Sequence, residues 1–271
     1  MPDGDLVVAT YWTTARLLTE LAPRHGKPVH LVQLYEIWGV EDPSEVDNVL
    51  LQDVPKVAVS NHLAGTLRKL GVPDTQIAVV PNGLDHQVFH VTDRVTPREV
   101  LVSVLLSDSA QKGSKTAIDA LIAARETVSN LTVVGFGTMS RPRDWPRWAH
   151  YLRAASGREL ADLYRSSQVY LCSSASEGWG FPVAEAMACG AAVVTTSNGG
   201  VEDFCSNERN ALIVPVGDAT AMAAAVVRLI QDEQLRARLV QAGRETASEM
   251  DWSRSTYMFL AALRSAASVG G

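Results

Sequence analysis

The sequence predicts an α/β protein of two domains, each built on a parallel sheet with helices on both faces. Its 271 residues exceed the usual size of a single hydrophobic core. Short, continuously apolar runs alternate with helical patterns, which is typical of parallel strands buried on both sides. A stretch without helical or strand periodicity separates two sets of these units, and we place the domain boundary there.

The predicted strands are LVVAT (6–10), HLVQLY (30–35), KVAVS (56–60), IAVVP (77–81), VLVSVLL (100–106), LTVVGF (131–136), QVYLCS (168–173), AAVVTT (191–196) and ALIVPV (211–216). Helix start signals lie between several of them. Ser156 and Glu159 form a capping-box pattern before an apolar stripe. Asp218 and Asp232 are expected to act as N-caps of the two helices that follow. This order of elements is that of repeated strand–helix units.

The aperiodic stretch HQVFHVTDRVTPRE (86–99) divides the chain. We therefore predict a first domain over residues 1–93, a second over residues 94–250, and a closing helix with a small-residue tail over residues 251–271. A doubly wound domain commonly has on the order of 150 residues, so the first domain is predicted to be incomplete. An incomplete sheet leaves an edge and an apolar face that self-association or a partner chain would cover.

Bulk properties exclude several classes of protein. The chain has 24 basic and 30 acidic residues and a formal charge of −6, which argues against a nucleic-acid partner. Cys172, Cys189 and Cys205 form no C-x-x-C pair, which suits reduced thiols rather than a structural zinc site. The chain has no signal-peptide pattern and no apolar run of bilayer-spanning length. We therefore expect a cytoplasmic protein, with peripheral contact to a membrane surface left open.

The segment SEGWGFPVAEAMACG (176–190) is predicted to be a corner between a strand and a helix. Ligands bind beyond the carboxyl ends of the strands in an open parallel sheet. Gly178 and Gly180 allow the backbone to approach a ligand closely, and Pro182 suits the first helical position. Glu185 is then expected in the first helical turn, where the helix dipole favours a carboxylate and a vicinal diol can donate two hydrogen bonds to it.

Glu177 lies before the turn, and two carboxylates spaced in this way suit a sugar nucleotide, which has diols at both ends and a diphosphate between them. A bland alternative is equally compatible with these two residues taken alone. In that alternative, Glu185 is only a helix-start carboxylate and Glu177 only a loop charge.

The longer run SEGWGFPVAEAMACGAAVVTTSNGGVEDF resembles the retaining, nucleotide-sugar-dependent glycosyltransferases of family four, whose hallmark is two glutamates with seven residues between them. VVPNGLDHQVF (79–89), QKGSKTAIDAL (111–121), SGRELADLYRSSQVYLCSS and DWSRS (251–255) resemble further segments of that family. The resemblance runs from about residue 50 to the end of the chain. This combination is far more specific than a lone glycine motif.

The resemblance implies a GT-B fold, in which two Rossmann-like domains face one cleft and the second domain binds most of the donor. It implies that Glu177 contacts the transferred sugar and Glu185 the nucleotide ribose. Backbone amides of the glycine-rich corner are expected to meet the sugar and the diphosphate, and the VGFGT loop (134–138) to border the base. The expected donor-binding residues are Glu185, Gly178, Trp179, Gly180, Phe181, Val183, Arg153 and Gly135.

Lys112 is the predicted cation for the diphosphate, because its growing negative charge needs neutralising and the lysine precedes a helix N-terminus. Family members usually carry an arginine shortly before this lysine, but VSVLLSDSAQKG contains none. Either Arg153 or Lys115 supplies the second charge, or the phosphates are less strongly stabilised than in the family.

The resemblance also accounts for the lack of a nucleophile with an adjacent base, because the leaving diphosphate itself can take the acceptor's proton in a retaining transfer. We expect no metal and no cofactor other than the donor as co-substrate. The D-x-D pattern of Asp3 and Asp5 precedes the first strand, so we interpret it as an exposed terminal loop.

Gln33, Tyr35, Glu36 and Asn61 are the candidate acceptor-side residues, since they lie at or after strands of the first domain. Packing on either face of a strand, or helix capping by Ser60 or Asn61, is an equally good interpretation. The basic run RPRDWPRW (141–148) is interpreted as a solvated loop with its aromatic residues turned inward, and the alternative is contact with a lipid surface or a polyanionic acceptor.

The sequence therefore predicts a retaining, metal-independent glycosyltransferase. It would move a sugar from a nucleoside-diphosphate donor to a sugar, polysaccharide or lipid-linked acceptor. One rival is a nucleotide-sugar binding or regulatory subunit with impaired catalysis, completed by a partner chain. A second rival is an epimerase or a glycosyl phosphorylase of the same fold, because fold alone does not determine function.

Overall fold

The computed structural model describes residues 3–92 and 100–268 and divides the chain into two compact units. Unit 1 consists of Met1–Gly83 with Asp251–Gly271, and unit 2 of Leu84–Met250. The predicted boundary between residues 93 and 94 lies outside the described residues. The units differ from the predicted domains in two respects: residues 84–92 group with unit 2, and the closing helix groups with unit 1.

Unit 1 contains a parallel sheet in the order β1-β2-β3-β4. Its strands are β1 (Leu6–Ala9), β2 (Lys27–Val32), β3 (Lys56–Ala58) and β4 (Ile77–Val79). The strands alternate with helices α1 (Trp12–Ala15), α2 (Leu18–His25), α3 (Ser44–Leu50) and α4 (Asn61–Leu70). β2 ends at Val32, so the candidate residues Gln33, Tyr35 and Glu36 follow the strand rather than alternate along it.

Unit 2 contains a parallel sheet in the order β10-β9-β8-β5-β6-β7. Its strands are β5 (Val100–Leu105), β6 (Val133–Gly137), β7 (His150–Arg153), β8 (Ser167–Cys172), β9 (Ala192–Thr196) and β10 (Leu212–Val214). All of these except β7 overlap a predicted apolar run. β7 is an edge strand with exposed ends, so its sequence HYLR shows no continuous apolar pattern.

The helices of unit 2 are α5 (Ser114–Thr127), α6 (Gly157–Ser166), α7 (Phe181–Ala188), α8 (Ala219–Gln231) and α9 (Glu233–Ser248). Asp218 and Asp232 are confirmed as N-caps, since their carboxylates accept hydrogen bonds from the Ala221 and Leu235 amides, each at 2.8 Å. Ser156 occupies the N-cap position of α6, but its side chain makes no capping hydrogen bond. The prediction of a capping box is therefore wrong about the hydrogen bond from the Ser156 side chain. It is right about the position at which the helix begins.

The central strands β5 and β8 carry much of the hydrophobic core of unit 2. Val102, Val104, Val169 and Leu171 are fully buried in one cluster with apolar residues of α5 and α8. Burial of strands on both faces favours a largely apolar sequence within them, and the longer polar segments follow the strand ends. The polar segments after β5 and β8 are therefore available for binding.

The last helix, α10 (Trp252–Ser268), belongs to unit 1 and begins where the sequence predicted. Ala266 belongs to the buried cluster that contains Val29 of β2 and Val57 of β3, and Phe259 and Leu263 pack against that cluster. Unit 1 is thus formed by the two ends of the chain, and unit 2 by the segment between them. The C-terminal helix α10 adds apolar residues to the core of unit 1. In the described parts of the chain, no helix combines the length and apolar character needed to cross a bilayer.

Candidate functional site

The candidate site of unit 2 lies beyond the carboxyl ends of β5 and β8, which are parallel neighbours in the sheet. The chain after β5 forms a short 3-10 turn over Ala110–Lys112, and the chain after β8 forms the glycine-rich corner before α7. The structure brings together the two predicted catalytic residues from these segments. Lys112 Nζ lies 2.6 Å from Glu177 Oε1, and the two side chains are 23% and 12% exposed.

Two hydrogen bonds to backbone carbonyls connect these two segments. The Ala175 amide donates a hydrogen bond to the Gln111 carbonyl at 2.6 Å, and the Ser173 hydroxyl donates to the Lys112 carbonyl at 2.8 Å. Gly113 has a φ of +61°, and a Cβ at that position would lie 2.1 Å from the Ser173 oxygen. Only glycine fits this conformation and this close approach, so Gly113 fixes the position of Lys112.

Glu177 is held at both its side chain and its backbone. The Ser174 hydroxyl donates to Glu177 Oε1 at 2.7 Å, so this oxygen accepts two hydrogen bonds. The Glu177 amide donates to the Asn198 carbonyl at 2.9 Å, and the Gly200 amide donates to the Glu177 carbonyl at 3.0 Å. Sequence analysis did not identify Ser174 or Asn198, although both lie within the segment that carries the family resemblance.

Glu185 lies in the second turn of α7 rather than in the first turn, because the helix begins at Phe181. The expectation of a first-turn carboxylate favoured by the helix dipole is therefore wrong, since that effect falls off within the first turn. Instead, burial raises the pKa of Glu185 to about 7, and the hydrogen bond from the Tyr164 hydroxyl at 3.3 Å opposes part of this rise. Glu185 therefore titrates near neutral pH.

Both glutamates act on one buried phenol of β8. Burial raises the pKa of Tyr170 well above its ordinary value, and the negative charges of Cys172, Glu177 and Glu185 add to the rise. Tyr170 also packs against Tyr164 with ring centroids 5.4 Å apart. Of the two carboxylates, Glu185 contacts this aromatic pair, through the hydrogen bond that the Tyr164 hydroxyl donates to it.

The glycines of the corner are required by the local backbone and its packing, and their predicted close approach to a ligand stays a prediction. Gly180 has a φ of +103° at the N-cap of α7, and a Cβ there would lie 2.6 Å from Val201 Cγ1. Gly178 is buried at the same corner. Any larger residue at position 180 would be strained and would also push the corner away from the segment after β9.

Three other corner residues differ in what they can offer to a ligand. Trp179 is 7% exposed and its ring packs against Phe204 at 5.1 Å, so its side chain belongs to the core. Val183 is fully buried, and its amide already donates to the Gly180 carbonyl at 3.0 Å, which favours a packing role. Phe181 remains 36% exposed at the start of α7.

Gly135 lies inside strand β6, so the predicted VGFGT loop is wrong: residues 133–137 are a strand. A Cβ on Gly135 would lie 2.8 Å from both Leu106 Cδ1 and Trp145 Cζ2. This glycine therefore makes room for the buried ring of Trp145 in the core. That burial agrees with the interpretation of RPRDWPRW as a loop with an aromatic residue turned inward.

The candidate second cations have different partners. Arg153 ends the edge strand β7, is exposed, and donates from Nε to the Thr138 carbonyl at 3.4 Å. Lys115 pairs with Asp119 one turn further along α5, at 2.8 Å. Lys115 thus forms an ion pair within α5.

The candidate acceptor-side residues of unit 1 make hydrogen bonds within that unit. Gln33 Nε2 donates to the Thr10 carbonyl at 3.1 Å, and the Tyr35 hydroxyl donates to Asp47 at 2.7 Å. Glu36 Oε2 accepts from the Trp12 amide at 2.9 Å, and burial raises the pKa of Glu36. These three residues organise the loops after β1 and β2.

Asn61 is the first residue of α4, and the N-cap of that helix is Ser60, whose hydroxyl accepts a hydrogen bond from the Leu63 amide at 3.2 Å.

Within residues 3–92 and 100–268, no cluster of three or more histidine, cysteine, aspartate or glutamate residues could hold a metal ion.

A comparison with protein families matches residues 96–232 to the family described as "Glycosyl transferases group 1". The matched segment contains β5 to β10 and therefore Lys112, Glu177 and Glu185.

Among curated proteins, the chain is 27% identical over 294 residues to D-inositol 3-phosphate glycosyltransferase of Stackebrandtia nassauensis, covering 93% of this chain and 66% of that protein. It is 30% identical over 303 residues to the protein of the same name from Xylanimonas cellulosilytica, covering 94% of this chain and 70% of that protein. The chain thus spans about two thirds of the length of these relatives.

Among solved structures, HepE of Anabaena in complex with UDP-glucose superposes with a TM-score of 0.83 at 18% identity, covering 96% of this chain and 79% of that chain. Similarity at this level of identity shows the fold, which is GT-B-like, with two parallel-sheet α/β domains. The predicted fold class is therefore confirmed.

Proposed function

The chain belongs to the glycosyl transferases group 1 family, and from this membership and the geometry of its site we propose that it transfers a sugar from a nucleoside-diphosphate donor to an acceptor hydroxyl. The observation that carries the proposal is the convergence of Lys112 and Glu177 beyond two adjacent strands, with Glu185 in the following helix. A cation and two carboxylates around a glycine corner match the three parts of a sugar nucleotide.

Each residue has one role in the proposed reaction. Glu185 accepts hydrogen bonds from the ribose diol, and Glu177 accepts from hydroxyls of the transferred sugar. Lys112 stabilises the diphosphate as the bond from the sugar to phosphate oxygen breaks, since charge-assisted hydrogen bonds strengthen as negative charge develops. The corner amides around Gly178 and Gly180 contribute further hydrogen-bond donors.

The transfer is proposed to retain the configuration of the sugar and to need no metal. The acceptor oxygen forms its bond to the sugar on the face that the diphosphate leaves, and the acceptor proton passes to a departing phosphate oxygen. No protein base is then required. Lys112, rather than a metal ion, neutralises the leaving group.

Acceptor chemistry remains part of the proposal. A sugar, polysaccharide or lipid-linked hydroxyl suits the family, and D-inositol 3-phosphate, which appears in the names of the relatives, is the first acceptor to test. Gln33, Tyr35, Glu36 and Asn61 are proposed acceptor-side residues, and a lipid-linked acceptor would bring the protein to a membrane surface.

Ligand-linked stabilisation tests the donor site without knowledge of the acceptor. UDP, GDP, dTDP and ADP are each added to the purified protein, and the melting temperature is measured. A nucleotide at about 100 times its Kd raises the free energy of unfolding by about 2.7 kcal/mol. We expect at least one nucleotide to stabilise the wild type and Glu185→Ala to lose most of that shift. The matched control Glu159→Ala removes an exposed carboxylate of α6 and should keep the shift.

Turnover completes the test. The sugar conjugate of the stabilising nucleotide is incubated with D-inositol 3-phosphate and other polyols, with and without EDTA. We expect nucleotide release in both conditions and a product whose NMR couplings show retained configuration. Binding without any release would instead indicate a binding subunit, and the absence of any nucleotide response would remove the basis of the proposal.

A further inference from the structure

The carboxylate of Glu177 receives two donors on one oxygen. Lys112 Nζ at 2.6 Å and Ser174 Oγ at 2.7 Å both bind Oε1. Among the residues that the structure describes, none donates a hydrogen bond to Oε2. Two donors on one oxygen fix the rotation of the carboxylate, and they leave the other oxygen available as an acceptor.

Ser174 cannot reach a ligand itself, because it is only 3% exposed. Its hydroxyl donates to Glu177 and also lies within hydrogen-bonding reach of the buried Cys172 thiol, and its carbonyl accepts a hydrogen bond from Thr196 Oγ1. The position of Ser174 is thus fixed from the neighbouring strand β9. Any effect of this hydroxyl on a bound sugar must pass through the carboxylate of Glu177.

Two other buried serines of the same region use their hydroxyls differently. Ser173 donates to the Lys112 carbonyl at 2.8 Å, and Ser167 donates to the Leu163 carbonyl at 2.7 Å. Both hydroxyls therefore donate to neutral backbone carbonyls. Ser174 instead donates to an ionisable side chain of the proposed site, and hydrogen bonds to charged groups are roughly twice as strong as neutral ones.

We propose that Ser174 is a positioning residue that holds the Glu177 carboxylate for the transferred sugar, an inference that rests on the proposed function. In the proposed reaction Lys112 has two possible partners, the Glu177 carboxylate and the donor diphosphate. The diphosphate carries more negative charge and attracts the ammonium group more strongly. When Lys112 turns toward the phosphates, Ser174 remains as the donor on Oε1. The serine thus keeps Glu177 in place at the moment when its ion pair is lost.

The kinetic test compares Ser174→Ala, Ser174→Thr and Ser167→Ala, with UDP, UDP-glucose, GDP and GDP-mannose as probes. In Ser174→Ala we expect the nucleotide Kd to change by less than about twofold and kcat to fall by about 10- to 100-fold. Ser174→Thr keeps the hydroxyl and should recover most of kcat. Ser167→Ala loses a buried hydroxyl of β8 outside the site, and should lower the melting temperature while kcat is preserved.

A double-mutant cycle separates positioning from general damage. In a Glu177→Ala background the carboxylate that Ser174 orients is gone and no side-chain oxygen remains to accept from Ser174, so Ser174→Ala should cause no further loss of donor hydrolysis or transfer. A further tenfold loss in that background would overturn the proposal. Equal kcat for Ser174→Ala and the wild type would overturn it as well.

Crystal structures without ligand test the positioning independently of activity, in a Lys112→Ala background in which Ser174 is the remaining donor to Glu177 Oε1. In that background we expect the Glu177 carboxylate to keep its orientation, to leave it when Ser174→Ala is added, and to keep it with Ser174→Thr. A carboxylate that Ser174→Ala leaves unchanged in this background would contradict the inference. If the wild type binds none of the four probes, the proposed function fails, and the carboxylate orientation still decides whether Ser174 positions Glu177.

Discussion

Glu185 is governed by burial, although its place in the sequence suggested control by a helix dipole. It lies in the second turn of α7, and its pKa is raised from the model-compound value of 4.5 to about 7. A carboxyl group with a raised pKa binds its proton more tightly in the folded state. Its contribution to stability is therefore complete below pH 4.5 and is lost as the pH rises through 7.

We predict that Glu185→Gln removes this pH-dependent loss. The difference in free energy of unfolding between the variant and the wild type should grow between pH 4.5 and 7. The growth should be at most about 1.4 kcal/mol per pH unit, and the difference should level off above pH 7. Urea unfolding at several pH values measures it.

Glu159→Gln is the matched control for this experiment, because it removes an exposed carboxylate from α6. Stability curves of Glu185→Gln and the wild type that stay parallel from pH 4.5 to 7 would contradict the prediction. Such a result would mean that water screens the Glu185 carboxylate in the folded protein.

At the scale of residues, the sequence placed Glu177, Glu185 and Lys112 in one site through their spacing and the resemblance. It did not reveal that Trp179 and Val183 face the core, because a residue's face depends on the exact start of a helix and on its neighbours. Gly135 was misassigned for a similar reason. A glycine in a binding loop and a glycine beside a buried tryptophan look identical in sequence.

Helix N-caps of unit 2 show how far local sequence determines an element. Asp218 and Asp232 bond to the amides three residues later, as their pattern predicts. Ser156 has an equally suitable pattern and an extended backbone, yet its hydroxyl makes no capping bond. The positive φ of +53° at Gly157, directly after the cap, departs from regular helix geometry at this end of α6.

We predict that Asp218→Ala lowers the free energy of unfolding by about 1 kcal/mol, since it leaves the Ala221 amide without its side-chain partner. Ser156→Ala removes a residue from the same capping position without breaking a capping bond, and should cost clearly less. Thermal unfolding followed by circular dichroism measures both variants. Equal losses would show that the carboxylate of Asp218 contributes little to the start of α8.

The whole chain is organised as a discontinuous unit with a continuous one inserted. Unit 1 needs residues from both ends, whereas unit 2 is the unbroken segment 84–250 and contains Lys112, Glu177 and Glu185. α10 supplies apolar side chains such as Phe259 to the core cluster of unit 1. Removal of α10 should therefore affect unit 1 directly.

We predict that residues 84–250, expressed alone, fold and keep the response to the stabilising nucleotide. Their core is built within the segment, so its apolar burial does not depend on unit 1. The measurement is the melting temperature with and without nucleotide, compared with the full chain. A fragment that unfolds cooperatively but shows no nucleotide response would place essential donor contacts outside it.

Truncation after Met250 is the complementary variant, because it removes α10 and leaves unit 2 intact. Complete burial of one large apolar side chain contributes about 1.5–3 kcal/mol, and α10 contributes several partly buried ones such as Phe259 and Leu263, so unit 1 should lose its cooperative unfolding. Tyr257→Ala is the control within α10, since Tyr257 is 74% exposed and should be nearly neutral.

The amino-acid sequence by itself determined the α/β class, most strands, two helix caps, and the position of the carboxylates and the lysine along the chain. These features follow from local periodicity and from residue types whose chemistry is independent of context. Other features were decided only by the tertiary structure: β7 is an edge strand, and α10 belongs to unit 1. The same holds for the raised pKa of Glu185 and for the hydrogen bond from Ser174 to Glu177. Each of these depends on atoms that are distant in sequence, and contact, burial and electric field exist only after the chain has folded.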